Sequence, residues 1–190
     1  WSHYGYKNRY FVDLALVESA SNRLAPGTKW NFSPTLSAAW VLSKENFMED
    51  ATWIDFLKLR ASAGIINVDN LPGDEVWAYY AQQYATSGGG YAFDSGWNSE
   101  FGRTYLGMMA TANPTNEKAY KYNVGVDAKF FGGLDVTLDL WKEHRTDIWV
   151  TSDGKYSAVL GMDTPYENAG VVDSWGVELG LDYNKKIGDF

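Results

Sequence analysis

The chain has 190 residues, of which 45% are hydrophobic and 16% aromatic, and its formal net charge at pH 7 is −8. This composition excludes a disordered chain, and the negative charge argues against a nucleic-acid partner. The chain contains no cysteine, so disulfides and thiolate metal sites are excluded, and no run approaches the roughly 18 apolar residues of a transmembrane helix.

Three segments in the first part of the chain alternate between apolar and polar or small residues, namely 10–18, 30–42 and 57–65. A period of two places successive side chains on opposite faces of an extended strand, so each segment predicts a β-strand. Pro26-Gly27 predicts a turn in the first link. The charged link 44–55 is short and has room for one turn of helix. Because the chain starts at Trp1 without an initiator Met or a signal peptide, we expect a processed protein or a piece of a longer one.

A long irregular span follows, from about 67 to 117, with Pro72-Gly73, three glycines at 88–90 and many aromatic residues. Structureless loops of this length are uncommon inside compact domains. Long outer loops are, however, usual in outer-membrane barrels.

The clearest alternation in the chain lies at 120–131, where the polar positions include Lys121, Asp127 and Lys129. A slip of one residue would place these charges in hydrocarbon, at about 2–4 kcal/mol for a midplane Lys, so the register is firmly set. The aromatic ends of the apolar face are ten residues apart, close to the roughly 9–11 residues of a tilted membrane-spanning strand. The residues of this apolar face are Tyr120, Tyr122, Val124, Val126, Ala128 and Phe130.

The remaining pattern predicts a tight turn at 131–133, a strand from 134 to 141, a loop at about 151–167 and a last strand at 176–183. Six strands joined by alternating long and short links predict an antiparallel up-and-down meander. Membrane sheets must close, and closed membrane barrels have at least about eight strands, so we expect these strands to be part of a larger barrel. The segment 187–189 then predicts a turn into a further strand.

Six short motifs in order resemble the C-terminal part of the barrel of SusC/RagA-type TonB-dependent transporters, the nutrient importers of the Bacteroidetes outer membrane. The motifs are Arg9-Tyr10-Phe11, the residues 30–40 (Trp-Asn-Phe-Ser-Pro-Thr-Leu-Ser-Ala-Ala-Trp), the residues 57–64, Asn113-Pro114 followed by 122–127, Thr146-Asp147-Ile148, and the residues 168–179. The chain departs from the family at Glu117-Lys118, where Trp-Glu is usual, and at 18–21, where Asp-Gly-Ser-Ser is usual. Both departures lie near outer loops and bear on the substrate more than on the fold.

The resemblance implies an all-β, antiparallel transmembrane barrel of about 22 strands in the bacterial outer membrane, with long extracellular loops. Residues 1–190 would be part of a single barrel domain, and the plug domain and the other strands would lie outside this chain. It also implies import of oligosaccharides or oligopeptides, a SusD-like lipoprotein lid, and energy from TonB through an N-terminal part that this chain does not contain. It implies no enzyme activity and no cofactor.

Four aromatic residues of the long span, Trp77, Tyr91, Trp97 and Tyr105, are candidates for contact with substrate or with the lipoprotein lid, because Trp and Tyr stack on sugars and anchor interfaces. The alternative is that they pack a small core of the loop itself.

Four charged residues, Lys58, Arg60, Asp127 and Glu178, are predicted to face the lumen. The simplest role for them is to line the water-exposed inner wall of the barrel. Lys58 and Arg60 could instead contact the plug or an anionic ligand.

The sequence contains no catalytic constellation, and neither His3 nor His144 lies in a metal-spacing motif. The weak metal candidate is a calcium site at Asp69 and Asp74, for which a solvated acidic loop is the alternative. The rival functions are a soluble all-β carbohydrate-binding module and an outer-membrane adhesin or enzyme.

Overall fold

The computed structural model describes residues 1–70 and 107–184, together with the backbone of 91–92 and 100–101. None of the helices in these ranges is long and apolar enough to cross a membrane. Short 3₁₀ turns occur at Leu42–Lys44, Asn46–Met48 and Ala158–Leu160. The strands are β1 (Ser2–Tyr6), β2 (Tyr10–Ala20), β3 (Trp30–Val41), β4 (Ile54–Val68), β5 (Tyr91–Ala92), β6 (Glu100–Phe101), β7 (Glu117–Phe130), β8 (Leu134–Thr151) and β9 (Tyr166–Tyr183).

Seven of the described strands form one antiparallel sheet in the order β1-β2-β3-β4-β7-β8-β9, and β5 and β6 form a separate two-stranded pair. Each strand of the large sheet therefore pairs with the members of that sheet that precede and follow it along the chain, which confirms the predicted meander. The sequence prediction missed β1, whose five residues are too few for the alternation to stand out.

The connections lie at two ends of the sheet. The turn end carries the links 7–9, 42–53 and 131–133, and the loop end carries 21–29, 69–116 and 152–165. The predicted alternation between long and short links is wrong at one place. The turn-end link 42–53 is longer than the loop-end link 21–29, because it holds two of the 3₁₀ turns.

The two shortest links at the turn end share one backbone geometry. Lys7 and Asn8 have φ of 51° and 52°, and Phe131 and Gly132 have φ of 52° and 67°. Each pair forms the centre of a turn closed by a backbone hydrogen bond of 3.0 or 3.1 Å. Two consecutive left-handed residues define the primed turn whose twist matches that of antiparallel strands.

The register separates the side chains of the sheet into two chemically different faces. One transverse row joins Trp40, Leu59, Val126, Leu138 and Leu179, and these residues belong to the apolar face. The adjacent row, on the opposite face, joins Ala39, Arg60, Gly125, Asp139 and Glu178. We call the face that carries Arg60 and Asp139 the charged face.

The apolar face is not covered by any other element in the described part of the chain. Val124 is 56% exposed and Leu179 is 62% exposed, and Leu138 is half-buried between its neighbours. In a soluble sandwich a second sheet would bury these side chains. The uncovered face therefore favours the membrane interpretation over a soluble carbohydrate-binding module.

Aromatic residues mark the turn end of the apolar face. At the turn end the ring of Tyr10 stacks on Trp40 at 6.2 Å between centroids, and Trp53 stacks on Phe130 at 5.7 Å. The transverse row that contains Trp40 meets β9 at Leu179, which is four residues before Tyr183. If both aromatics lie at one membrane interface, this offset across four strand spacings gives a tilt of about 35°, which is typical of outer-membrane barrels.

The link 42–53 is fixed to the sheet by one carboxylate. Glu45 accepts hydrogen bonds from the Tyr10 hydroxyl at 2.6 Å, from Trp40 Nε1 at 3.0 Å and from Arg9 Nη1 at 3.1 Å. The hydrogen bonds from Tyr10 and Trp40 hold the pKa of Glu45 below its usual value. This carboxylate therefore ties the link to the aromatic residues of the turn end.

A matched pair of substitutions on β8 tests which face meets lipid. Leu138 lies near the middle of the apolar face, and Thr137 lies beside it on the charged face. Leu138→Lys should reduce the free energy of unfolding of the full-length protein by about 2–4 kcal/mol in lipid, and Thr137→Lys by less than about 0.5 kcal/mol. Denaturant titrations in liposomes measure both, and equal losses would contradict the assignment of faces.

The carboxylate of Glu45 gives a pH-dependent prediction. Because its folded-state pKa is lowered, its contribution is fully present above the unfolded value of 4.5 and is lost as the pH falls through the folded value. Glu45→Gln should therefore destabilise the protein at pH 7, and the difference from wild type should shrink below about pH 4.5. Glu49→Gln in the same link is the control, since Glu49 is exposed and its carboxylate has no hydrogen-bond partner in the described chain. A pH-independent difference for Glu45→Gln would refute this account.

Candidate functional site

Arg60 on β4 is the centre of a network of ion pairs on the charged face. Its Nη1 and Nη2 atoms donate to Oδ1 and Oδ2 of Asp139 on β8 at 2.7 and 2.6 Å, and its Nε donates to Asp127 on β7 at 3.2 Å. The pair with Asp139 is bidentate, which is the strong geometry for a guanidinium and a carboxylate. Arg60 thus connects three strands through side chains alone.

A glycine on the intervening strand β7 leaves room for the ion pair between Arg60 on β4 and Asp139 on β8. Gly125 lies between Arg60 and Asp139 in the register, and a Cβ built on it would lie 2.6 Å from Arg60 Cζ and 2.7 Å from Asp139 Oδ1. Real Cβ atoms do not approach other atoms so closely. The absence of a side chain at Gly125 therefore lets Arg60 cross β7 and reach the second strand along.

Further ion pairs extend the network along the charged face in both directions. Lys58 lies 3.4 Å from Asp127 toward the turn end, and Lys121 lies 3.1 Å from Glu143 toward the loop end. Glu143 also binds Arg145 at 2.8 Å. The cations of this face are thereby neutralised by carboxylates on neighbouring strands.

Glu178 lies in the same transverse row as Arg60 and Asp139, yet its carboxylate has no hydrogen-bond or ion-pair partner within the described residues. The carboxylate of Asp182, on the same face of β9, also has none there. The structure thus places the four predicted residues Lys58, Arg60, Asp127 and Glu178 on one face and brings the first three into contact. That this face lines a lumen remains a prediction.

Trp141 lies on the same face, next to Asp139 along β8, and sequence reasoning did not single it out. Its register partners are Asn123 on β7 and Gly176 on β9. A recess of about 470 Å³ adjoins the indole, and its lining includes Ser62, Lys121, Asn123, Glu143 and Glu178. The signal that could have found it is an aromatic residue on the polar side of an alternating strand.

The base of the long connection 69–116 is fixed at the loop end. The Asn168 amide donates to the carbonyls of Thr115 and Asp147 at 3.0 and 2.7 Å, and its oxygen accepts from the Thr115 backbone N–H at 2.9 Å. Thr28 donates to the carbonyl of Pro114 at 2.7 Å, and Pro114 is fully buried. These contacts hold the connections 21–29 and 69–116 to each other and to β8 and β9.

The other predicted site residues fall mainly outside what the structure describes. Trp77, Trp97, Tyr105 and Asp74 lie beyond the described residues, and only the backbone of Tyr91 is described, in β5. Their roles remain predictions.

The described calcium candidate and the histidines all have protein partners. Asp69 accepts a hydrogen bond from the Ser21 hydroxyl at 2.7 Å. His3 pairs with Asp13, and His144 pairs with Asp173 at 2.9 Å. No group of three potential metal ligands occurs in the part of the chain that the structure describes. The calcium site remains an untested prediction because Asp74 is not included.

Comparisons with known proteins agree on one family. The family model described as TonB-dependent receptor-like, β-barrel, matches residues 1–190. The chain is 27% identical to TonB-dependent receptor P39 of Formosa agariphila over 184 residues, which cover 94% of this chain and 16% of that protein. It is 24% identical to TonB-dependent receptor SusC of Bacteroides thetaiotaomicron over 189 residues, covering 95% of this chain and 17% of SusC.

Solved structures give the same result for the fold. The structure of the RagAB peptide transporter superposes with a TM-score of 0.79 at 16% identity, covering 98% of this chain and 19% of that chain. The RagAB peptide importer in its closed-closed state gives a TM-score of 0.76 at 17% identity. The chain spans about a sixth of the length of the curated relatives it matches.

A double-mutant cycle tests the Arg60 network. The side chains of Arg60 and Asp139 are only 29% and 13% exposed, whereas those of Lys155 and Glu167 are 62% and 25% exposed. Arg60→Met and Asp139→Asn should show a coupling of about 1–2 kcal/mol in the unfolding of the full-length protein. The control pair, Lys155→Met and Glu167→Gln, should show a clearly smaller coupling, because solvent screens exposed ion pairs. Equal couplings would argue against the network.

Proposed function

We propose that this chain, which belongs to the TonB-dependent receptor-like β-barrel family, supplies wall strands and outer loops of an importer that takes up oligosaccharides or oligopeptides across the bacterial outer membrane. The observation that carries the proposal is the match over all 190 residues to this family together with a sheet that is apolar on one face and charged on the other. Proteins of this family are outer-membrane receptors and transporters.

In this proposal the apolar face of the sheet meets lipid and the charged face lines the lumen. A lipid-facing sheet needs an uncovered apolar band of about 25 Å between aromatic girdles, and the distance from Tyr120 to Phe130 along tilted strands provides such a band. The charged face carries the Arg60 network, and its polar groups suit a water-filled or plugged interior. The loop end then faces outward, as long loops do in such barrels.

The partners follow from the same family. A SusD-like surface lipoprotein captures the cargo and covers the loop end, and TonB acts on a part of the protein outside this chain. Support comes from the similarity to SusC and to the RagAB peptide importer. The base at Asn168, Thr115 and Pro114 provides a firm support on which the connection 69–116 can present Trp77, Tyr91, Trp97 and Tyr105 to cargo or lid.

Gene deletion in the native bacterium tests the import function. The deletion strain should lose growth on either oligosaccharides or oligopeptides as the limiting nutrient, while growth on the corresponding monomers is unchanged. Uptake should return with the wild-type gene and stop when the proton gradient is collapsed. Unchanged growth and uptake on both nutrient classes would refute the proposal.

A second experiment tests the lipoprotein and the loop. The tagged full-length protein, purified in mild detergent, should retain a lipidated surface protein in a fixed ratio. Alanine at Trp77, Tyr91, Trp97 and Tyr105 together should reduce uptake or lipoprotein binding. Unchanged uptake and binding would show that these aromatic residues only pack the loop itself.

A further inference from the structure

The indole of Trp141 lies flat on the sheet. A Cβ built on Gly176 would lie 2.7, 2.7 and 2.8 Å from Cε2, Cζ2 and Nε1 of Trp141. If this Cβ approached the edge of the indole in the plane of the ring, Cε2 would be farther from it than Cζ2 and Nε1, the two atoms that flank Cε2. The near-equal distances therefore show that Gly176 sits under one face of the indole. The opposite face is free of Gly176, and Trp141 is one of the residues that line the recess.

Hydrogen-bonding groups surround this aromatic platform. Asn123 shares its transverse row, and Lys121 with Glu143 lies in the row toward the loop end. Glu178 lies in the row toward the turn end, and its carboxylate has no partner in the described chain. The recess that these residues line, at about 470 Å³, has the size of a small-ligand site.

The charges that line the recess balance in sign. Lys121 pairs with Glu143, and Arg60 pairs with Asp139 just beyond the recess. Lys142 and Glu178, which have no ion-pair partner in the described chain, carry opposite charges. The site therefore offers amide, ammonium and carboxylate groups with little net field. Such a frame suits hydroxyl groups, which both donate and accept, better than a fully charged ligand. A flat apolar ring beside polar groups fits the C–H face and the hydroxyl rim of a pyranose.

The position along β8 suits a passing ligand. Trp141 is seven residues from the start of β8 at Leu134, which corresponds to about 18 Å above the turn end for a strand tilted by about 40°. Because Trp141 pairs with Asn123, three residues from Tyr120 and seven from Phe130, the platform lies in the half of the apolar band nearer the loop end, where cargo enters in the proposed function.

We propose that Trp141 and the polar groups around it, among them Asn123 and Glu178, form a binding site for one neutral pyranose ring of an oligosaccharide on the inner wall of the barrel. This inference rests on the proposed import function and specifies its cargo as a glycan. The indole stacks on the sugar, the Glu178 carboxylate accepts from a hydroxyl, and the Asn123 amide bonds a second one.

Calorimetric titration of the full-length transporter in detergent tests the site. The probes are the neutral hexasaccharides maltohexaose, cellohexaose, xylohexaose and mannohexaose, with alanine and lysine hexapeptides as the alternative cargo. At least one hexasaccharide should bind the wild type, and Trp141→Ala should raise its Kd about tenfold or more. Trp141→Tyr, which keeps an aromatic face, should stay within about threefold of wild type.

Two further variants separate binding from folding. Trp175→Ala is the matched control, because Trp175 lies one residue before Gly176 on the apolar face and is 76% exposed. It should leave the Kd unchanged. Gly176→Ala keeps the indole but pushes it off the strand, and it should weaken sugar binding as Trp141→Ala does. Folding of each variant is checked by the mobility of the unheated protein in SDS gels.

The failures of the two proposals are distinguishable. Binding of hexapeptides alone, or of no hexasaccharide, would overturn the glycan assignment while growth and uptake still report on import. Equal Kd values for wild type, Trp141→Ala and Gly176→Ala would overturn the site even if a hexasaccharide binds. The proposed function itself would instead be overturned if the deletion strain kept all of its energy-dependent uptake.

Discussion

A sheet that meets hydrocarbon must bond every backbone amide to a neighbouring strand and keep every charge on its other face. Both requirements act on the same residues here, because the register that pairs the strands also decides which side chains lie together. The row through Leu59, Val126 and Leu138 is apolar across three strands, and the next row carries Arg60 and Asp139. A shift of one residue in any one strand would break both rows at once.

Two glycines on the charged face leave room for long side chains from neighbouring strands. Gly125 lets the guanidinium of Arg60 cross a whole strand, and Gly176 lets the indole of Trp141 lie down on the next one. In each case a long side chain occupies the space that a Cβ would take. The outcome is a wall on which charges are paired across strands and one aromatic ring is held flat. A face built in this way is ordered without being apolar.

The sequence predicted the central parts of the strands well, because alternation is strongest where one face is apolar. It failed at the loop end, where β8 continues to Thr151 and β9 starts at Tyr166, well beyond the predicted strands at 134–141 and 176–183. Beyond the apolar band both faces carry polar residues, so the period of two disappears although the hydrogen bonds continue. The role of Gly125 could not be predicted, since it depends on which residues of β4 and β8 face each other.

The edges of the described sheet explain why these seven strands have to be understood as part of a larger wall. Among the described strands, β1 and β9 each pair on one side only, and β9 has no described partner along the other edge of its 18 residues. In hydrocarbon each unpaired backbone group costs several kcal/mol, so the sum over such an edge far exceeds the net stability of a domain. Further strands must therefore cover these edges in the membrane. They would also enclose the charged face, so that Glu178, on the edge strand, comes to lie inside the lumen. In the proposed function, the same closure that protects the strand edges from lipid makes the charged face the inner surface of the barrel.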